Sequence, residues 1–109
     1  MTGRSQTTAR GREILASIRR AGPLMDGSFT LTRKKCGNPK CRCQSEGPIH
    51  PTALLTWKEG RTTHTLYVPG EDREEVARWV EEGKRIKRLI REISEEQRGL
   101  LRKRRDERR

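Results

Sequence analysis

A seam of mostly apolar residues, spaced alternately three and four positions apart, runs through the last third of the sequence. Its positions are Val76, Trp79, Gly83, Ile86, Ile90, Ile93, Gln97 and Leu100. Because residues at this spacing share one helix face, the seam predicts a long amphipathic helix of the coiled-coil type. Asp72 followed by Glu75 resembles a capping box and marks its start. We place the helix at residues 72–98, with an extension to residue 105 left open.

A helix of this length needs more apolar surface than the chain offers. At 1.5 Å per residue, residues 72–109 would span roughly 55 Å, yet only 29% of the 109 residues are hydrophobic. We therefore expect its second half to lack an apolar neighbour within the chain, and either to pair with a second copy, to dock on a partner or to fray. The predicted partner-binding residues are Ile86, Ile90, Ile93, Leu100 and Leu101. Gly83 and Gly99 are expected to mark bends or ends, since glycine costs about 1 kcal/mol relative to alanine in a helix interior.

The N-terminal part of the sequence predicts a shorter helix. Its apolar stripe consists of Ile14, Leu15 and Ile18. Gly22 and Pro23 end it, because glycine suits a helix C-terminus and proline cannot continue the helix. We place this helix at residues 8–21 and expect residues 1–7 to be a disordered arm. The candidates for its N-cap are Ser5, Thr7 and Thr8.

Strand-like patterns follow the short helix. Ser28–Lys34 alternates between apolar and polar residues, and two later segments rich in Thr, Leu, Trp, Tyr and Val suit a pleated surface. Glu59 and Gly60 lie between these two segments and indicate a hairpin turn. With both as central turn residues, Trp57 would face Thr62. The pattern predicts a small antiparallel sheet of two or three strands.

Together these elements predict the α+β class. The expected architecture is a short N-terminal helix, a small antiparallel sheet interrupted by a cysteine-rich segment within residues 27–69, and a long C-terminal amphipathic helix. All three form one small domain of residues 8–98, followed by a basic tail at residues 99–109.

Three cysteines, Cys36, Cys41 and Cys43, lie close together in the sequence. The polar N-terminus does not resemble a secretory signal, so disulfide bonds are disfavoured. A structural zinc ion takes four thiolate or imidazole ligands in tetrahedral geometry, and His50 completes a Cys3His set. The sequence therefore predicts a zinc knuckle with Zn2+ as cofactor, with His64 as an alternative fourth ligand. Zinc would offset the shortage of core, since such sites contribute on the order of 10 kcal/mol in finger peptides.

The charge of the chain is strongly positive. Lys and Arg number 26 against 15 acidic residues, a formal net charge of +11, and the excess lies in residues 1–70 and 98–109. Because Lys and Arg that neutralise phosphates release condensed counterions, this charge predicts a nucleic-acid partner, DNA or RNA. The predicted nucleic-acid-binding residues are Arg33, Lys34, Lys35, Lys40, Arg42, Lys58, Arg61, Arg102, Lys103, Arg104 and Arg105.

Several short stretches together resemble a family of small uncharacterised prokaryotic proteins. They are Gly27-Ser28, the core Cys36–Cys43 that reads CG-x-P-x-C-x-C, Tyr67-Val68-Pro69, and a helix that opens with Val76 and Trp79. The resemblance covers roughly residues 13–95. It implies a helix–sheet–helix chain with a zinc-knuckle-like core, often encoded beside transposases in mobile elements.

Two functions fit these features. The first is a zinc-stabilised, basic nucleic-acid-binding accessory protein in a nucleoprotein complex of a mobile element or phage. The alternative is a protein-interaction adaptor whose C-terminal helix dimerises or docks on a larger enzyme, such as a transposase or nuclease. An enzyme with a small-molecule substrate is not expected, because the sequence shows no paired carboxylates, nucleotide loop or triad. No apolar run approaches the roughly 18 residues of a membrane span, so we expect no membrane partner. The resemblance implies a prokaryotic protein, which we expect in the cytoplasm.

Overall fold

A computed structural model describes residues 6–33 and 51–108, apart from the side chains of Arg33 and Pro51. Within these residues two helices accompany a three-stranded antiparallel sheet, so the α+β class predicted from the sequence is confirmed. The elements are α1 (Ala9–Arg19), β1 (Ser28–Arg33), β2 (Pro51–Glu59), β3 (Thr62–Val68), a 3-10 turn (Gly70–Asp72) and α2 (Arg73–Glu107). In the described part of the chain, neither helix has the length and apolar character that crossing a membrane requires.

The sheet has the strand order β1-β2-β3, and its hairpin turn differs from the expected one. Gly60 has a φ of +61°, so Gly60 and Arg61 are the central turn residues, and glycine in the first of these positions is typical of a type II′ turn. The register therefore pairs Trp57 with His64, and the predicted pairing of Trp57 with Thr62 is wrong. Because the shift is two residues, every side chain keeps its expected face of the sheet.

One face of the sheet packs against the first turns of α2. The buried residues of this core are Ala53, Leu55, Val68, Val76 and Val80, and Met25, Phe29, Trp57 and Trp79 pack around them half-buried. The opposite face carries mainly Ser and Thr side chains, as expected for an antiparallel sheet with one solvated face. The core is thus small, and it lies at the N-terminal end of α2.

Helix α1 packs antiparallel along the next part of α2. Thr8 is its N-cap: the Thr8 hydroxyl accepts a hydrogen bond from the Gly11 backbone N–H at 2.8 Å and donates one to Glu96 Oε1 at 2.7 Å. Ile14, on the side of α1 toward α2, is only 2% exposed. The same residue therefore caps α1 and fixes its position on α2.

This packing corrects the expectation that the second half of α2 lacks an apolar neighbour within the chain. Ile86 is 9% exposed, and the space that a side chain at Gly11 would fill borders Ile93 Cδ1, so both isoleucines pack inside the chain. The contact extends to Gln97, whose side-chain amide donates a hydrogen bond to the carbonyl of Gln6 at 2.9 Å. Because α1 returns along α2, only the helix beyond residue 97 projects without a neighbouring described element.

Gly83 and Gly99 were predicted to mark bends or ends of the helix; neither is an end, because α2 continues through both glycines. At Gly83 the backbone of Met25 crosses the helix, and its N–H donates a hydrogen bond to the Trp79 carbonyl at 3.0 Å. A Cβ atom at Gly83 would lie 2.2 Å from the Met25 carbonyl oxygen. Glycine is thus required here by close approach of another segment. No heavy atom lies within 4 Å of the corresponding point at Gly99.

The two ends of α2 also differ from the sequence prediction. Asp72 is the N-cap residue, but its side chain makes no capping hydrogen bond, so the start is confirmed and the capping box is wrong. The helix ends at Glu107, beyond residue 98 and beyond the extension to residue 105, so most of the predicted basic tail is helical. Leu, Arg and Lys are strong helix formers, and cations in the last turn interact favourably with the helix dipole.

Candidate functional site

The cysteine-rich segment lies outside the described residues. The predicted ligands and phosphate contacts concerned are Cys36, Cys41, Cys43, His50, Lys34, Lys35, Lys40 and Arg42, together with the side chain of Arg33. The sheet register pairs Arg33 with Pro51, so this segment leaves and re-enters the sheet at one end. Within residues 6–33 and 51–108, no group of three or more His, Cys, Asp or Glu side chains is arranged to hold a metal ion.

The hairpin tip carries two of the predicted cations, Lys58 and Arg61, both exposed. Glu59 lies beside them: its Oε1 accepts a hydrogen bond from Trp57 Nε1 at 3.2 Å, and its Oε2 lies 3.7 Å from His64 Nε2. The rings of Trp57 and His64 stack, with centroids 5.4 Å apart. His64, the alternative zinc ligand, therefore stacks on Trp57 at the end of the sheet remote from the cysteine-rich segment.

A row of charged residues along α2 forms the most extended basic surface of the described chain, which we call the basic stripe. Its cations are Lys84, Arg88, Arg91, Arg98, Arg102 and Arg105, all exposed. The spacing alternates between four and three residues when Glu95, also exposed, is included, so all seven side chains share one helix face. The stripe spans about 32 Å at 1.5 Å per residue, with a single acidic residue along its length.

The basic stripe faces away from α1. Arg91 lies two residues from Ile93, which packs toward Gly11 of α1, and two residues correspond to about 200° around a helix. Arg98 has the same relation to Glu96, which accepts the hydrogen bond from Thr8. Packing of α1 on one side of α2 thus leaves the stripe on the open side.

Half of the cations in the basic stripe have no acidic partner in the described part of the chain. Lys84 lies 3.5 Å from Glu81, Arg98 pairs with Glu95, and Arg105 lies 3.9 Å from Asp106. The remaining three, Arg88, Arg91 and Arg102, make no ion pair with any described residue. Exposed pairs such as these contribute little, about 0–1 kcal/mol, so even the paired cations can exchange their carboxylates for phosphates.

Of the basic stripe, only Arg102 and Arg105 were predicted from the sequence. Lys84, Arg88 and Arg91 were missed because the segment 71–97 has no net positive charge, and Arg98 was missed because it precedes the Arg-rich run that begins at Arg102. The alternating spacing that revealed the apolar seam would have revealed the stripe, had it been applied to the cations. Of the other predicted cations on this helix, Lys103 is exposed on a different face and Arg104 is half-buried.

A polar cluster holds α1 and α2 in this arrangement. Arg85 donates two hydrogen bonds to the Glu82 carboxylate, from Nε at 2.7 Å and from Nη2 at 3.0 Å, and a third from Nη1 to Ser17 Oγ at 2.8 Å. The backbone N–H of Gly22 donates to Glu82 Oε2 at 2.9 Å. The hydrogen bonds from Arg85 and then from Gly22 lower the pKa of Glu82 from its usual 4.5 to about 2.

The predicted partner-binding residues fall into two groups. Ile86 and Ile93 pack inside the chain, as described above, and Leu100 is half-buried. Ile90 and Leu101 are 51% and 62% exposed. Only the last two therefore present most of their side chains to an external partner.

The described chain is thus a small α+β protein in which one long helix carries the basic stripe on the side that faces away from α1. The chain belongs to the family described as Domain of unknown function (DUF6788), whose model matches residues 4–78. The match covers α1, the sheet and the first turns of α2, whereas the basic stripe lies after it. No curated protein and no solved structure matches the chain.

Proposed function

We propose that the chain is a basic nucleic-acid-binding accessory protein that contacts the sugar–phosphate backbone through α2. The observation that carries this proposal is the basic stripe: six exposed cations and one carboxylate on one face of a continuous helix. A helix keeps these cations in a fixed row, so a polyanion meets them without first ordering a flexible tail. Neighbouring cations are about 4.5–6 Å apart along the axis, except across Glu95, where the gap is about 10.5 Å, so several cations meet one backbone.

The chemistry of the basic stripe favours binding that depends weakly on sequence. Phosphate contacts position a protein on a duplex, whereas sequence is read by contacts to base edges. The stripe contains no aromatic side chain to stack on a base and no Asn or Gln to read adenine, so guanine is the one base that its arginines could read. Both DNA and RNA present the backbone that it would contact, so the proposal includes either.

Zinc forms the second part of this proposal. Cys36, Cys41, Cys43 and His50 would bind Zn2+ and stabilise a body whose core is small. Support comes from the donor set, which is typical of structural zinc, and from the pairing of Arg33 with Pro51, which brings the two ends of the segment together. The cations near the cysteines would then add to the basic surface. Metal analysis of the purified protein, with Cys41→Ser as the control, tests this part: the native protein should contain one zinc ion per chain.

A salt titration tests the nucleic-acid part. The variant Arg88→Ala/Arg91→Ala/Arg102→Ala removes the three stripe cations without an ion pair, and the control Arg12→Ala/Arg19→Ala/Arg20→Ala removes equal charge from exposed positions on and after α1. Binding to a labelled duplex is measured by fluorescence anisotropy at several salt concentrations. The stripe variant should reduce the slope of log K against log salt by about 3, since each phosphate contact contributes about 0.9. Equal losses for the two variants would contradict the proposal.

The setting that we propose is a nucleoprotein complex of a mobile element or phage in the prokaryotic cytoplasm. This part rests on the resemblance of the cysteine core to chains encoded beside transposases. The exposed side chains of Ile90 and Leu101 support a second function, that of an adaptor whose α2 docks on a larger enzyme such as a transposase or nuclease. An adaptor of this kind would retain its partner after the Arg88/Arg91/Arg102 substitution and lose it after Ile90→Asp/Leu101→Asp, which co-purification measures.

A further inference from the structure

An apolar groove lies between β3 and the first turns of α2, at the end of the molecule remote from the C-terminus of α2. Its floor includes Met25 and Trp79, and its wall includes Leu66 and Tyr67, which are 56% and 58% exposed. The groove has a volume of about 270 Å³. Leu66 lies on the edge strand β3, on the same face of the sheet as its buried partner Leu55, and it is among the most exposed large apolar residues of the described chain.

The rim of this groove is acidic. Asp72 and Glu75 line it, and Glu71 and Glu74 are exposed beside them. Arg73 is the single cation among residues 70–77 of the sequence. We call this feature the acid-rimmed groove; its chemistry fits a cationic segment that also carries an apolar side chain.

The opposite end of the molecule has that chemistry. Leu101, Arg105 and Arg108 lie on one face of the last turns of α2, where they border a shallow surface depression with Arg98 and Arg102. Leu101 is 62% exposed. We call Leu101, Arg105 and Arg108 the docking end. Arg105 and Arg108 are three residues apart, as are Asp72 and Glu75 in the groove, so the two pairs of charges have matching spacing along their helices.

We propose that the acid-rimmed groove receives the docking end of a second copy of the chain. Leu101 would enter the apolar groove against Leu66 and Trp79, and Arg105 and Arg108 would pair with Asp72 and Glu75. A helix carries partial positive charge at its N-terminus and partial negative charge at its C-terminus, so the dipoles of two α2 helices joined in this way also attract.

The docking end must come from another molecule. In its own chain, α2 is continuous through Gly83 and Gly99, and the helix between Trp79 and Leu101 holds the two about 33 Å apart along the axis. With Leu101 beside Trp79, Arg105 beside Glu75 and Arg108 beside Asp72, the two α2 helices run antiparallel, and each groove holds the docking end of the other copy. The contact therefore forms twice and closes a two-fold pair.

Sedimentation velocity in the absence of nucleic acid tests this assembly separately from the proposed function. The native chain should form a dimer whose fraction rises with protein concentration and falls with added salt. Two variants each remove one surface: Asp72→Lys/Glu75→Lys removes the acidic rim, and Leu101→Ala/Arg105→Ala/Arg108→Ala removes the docking end. Each variant alone should remain monomeric.

Mixing the two variants gives the decisive result. The first keeps its docking end and the second keeps its groove, so the mixture should form a one-to-one pair that does not grow further. Such a gain of association is not explained by unfolding of either variant, and circular dichroism checks that both keep the helix content of the native chain. A native chain that stays monomeric at all concentrations, a variant that assembles alone, or a mixture without a pair would each overturn the proposal.

Discussion

The two parts of α2, a first part of residues 73–97 and a second part of residues 98–107, have opposite surroundings. Residues 73–97 pack against the sheet and α1, and they include the buried Val76, Val80 and Ile86. Residues 98–107 continue the same helix without a described neighbour, and Leu101 is 62% exposed there. Tertiary packing therefore stabilises the helical conformation of the first part, whereas helix propensity and the charges at the helix end stabilise the second part.

Truncation of a buried side chain between α1 and the first part of α2 should have the largest effect on stability. Ile14→Ala removes most of a side chain that is 2% exposed between α1 and α2, and such substitutions cost about 2–5 kcal/mol. The matched control is Leu101→Ala in the second part of α2, which should change the free energy of unfolding by less than about 0.5 kcal/mol. Urea unfolding followed by circular dichroism measures both. Similar losses of unfolding free energy for the two variants would show that the second part of α2 is also packed.

A methyl group at Gly83 should have the next largest effect. Gly83→Ala forces a Cβ atom against the Met25 carbonyl, where only 2.2 Å is available. The segment before β1 must move or the helix must shift, and overpacking of this kind costs about 1–3 kcal/mol. The same unfolding experiment measures it. A variant as stable as the native chain would contradict the close crossing of Met25 over α2.

A glycine-to-alanine substitution in the second part of α2 should stabilise the chain instead. Gly99→Ala adds a Cβ atom that meets no heavy atom within 4 Å, and alanine is the better helix former by about 1 kcal/mol. The variant should therefore gain about 0.5–1 kcal/mol, with increased helical circular dichroism. A loss of stability in the Gly99→Ala variant would show that another segment packs against the second part of α2.

The smallest of these effects is a dependence on acid pH from the cluster between α1 and α2. The pKa of Glu82 is about 2 in the folded chain against its usual 4.5, so the unfolded chain binds more protons between these values. Stability should fall as the pH drops from about 4.5 toward 2, and Glu82→Gln should make this fall shallower. Urea midpoints measured across that range give the difference. Parallel curves for the two proteins would mean that the hydrogen bonds from Arg85 and Gly22 do not form in solution.

Much of the fold could be predicted from local patterns in the sequence. The alternation of apolar and polar residues and the turn residues predicted the sheet and the correct faces of its strands. The apolar seam predicted α2, with its start at Asp72. The turn was misplaced by one residue because Gly60 takes the first central position, with its positive φ, and not the second. The end of α2 was placed too early because one glycine was given more weight than the helix formers around it.

Contacts between distant segments could not be read from the sequence. The crossing of Met25 over Gly83 and the antiparallel return of α1 depend on how the elements pack, which no local pattern contains. Without that packing, the side of α2 that stays open was unknown, and so Lys84, Arg88 and Arg91 were not recognised as one surface. The zinc ligands remain a prediction from the cysteine spacing.

The elongated shape of the chain also determines how it behaves in solution. The chain measures 73 × 28 × 18 Å and has a radius of gyration of 21.7 Å. A compact protein has that radius of gyration only when it contains roughly 400 residues. A single 12.7 kDa molecule should therefore elute from a size-exclusion column calibrated with globular standards at the volume of a much heavier protein. The rod would also tumble anisotropically, so amide bonds along α2 should show different rotational relaxation from those of the strands that cross it.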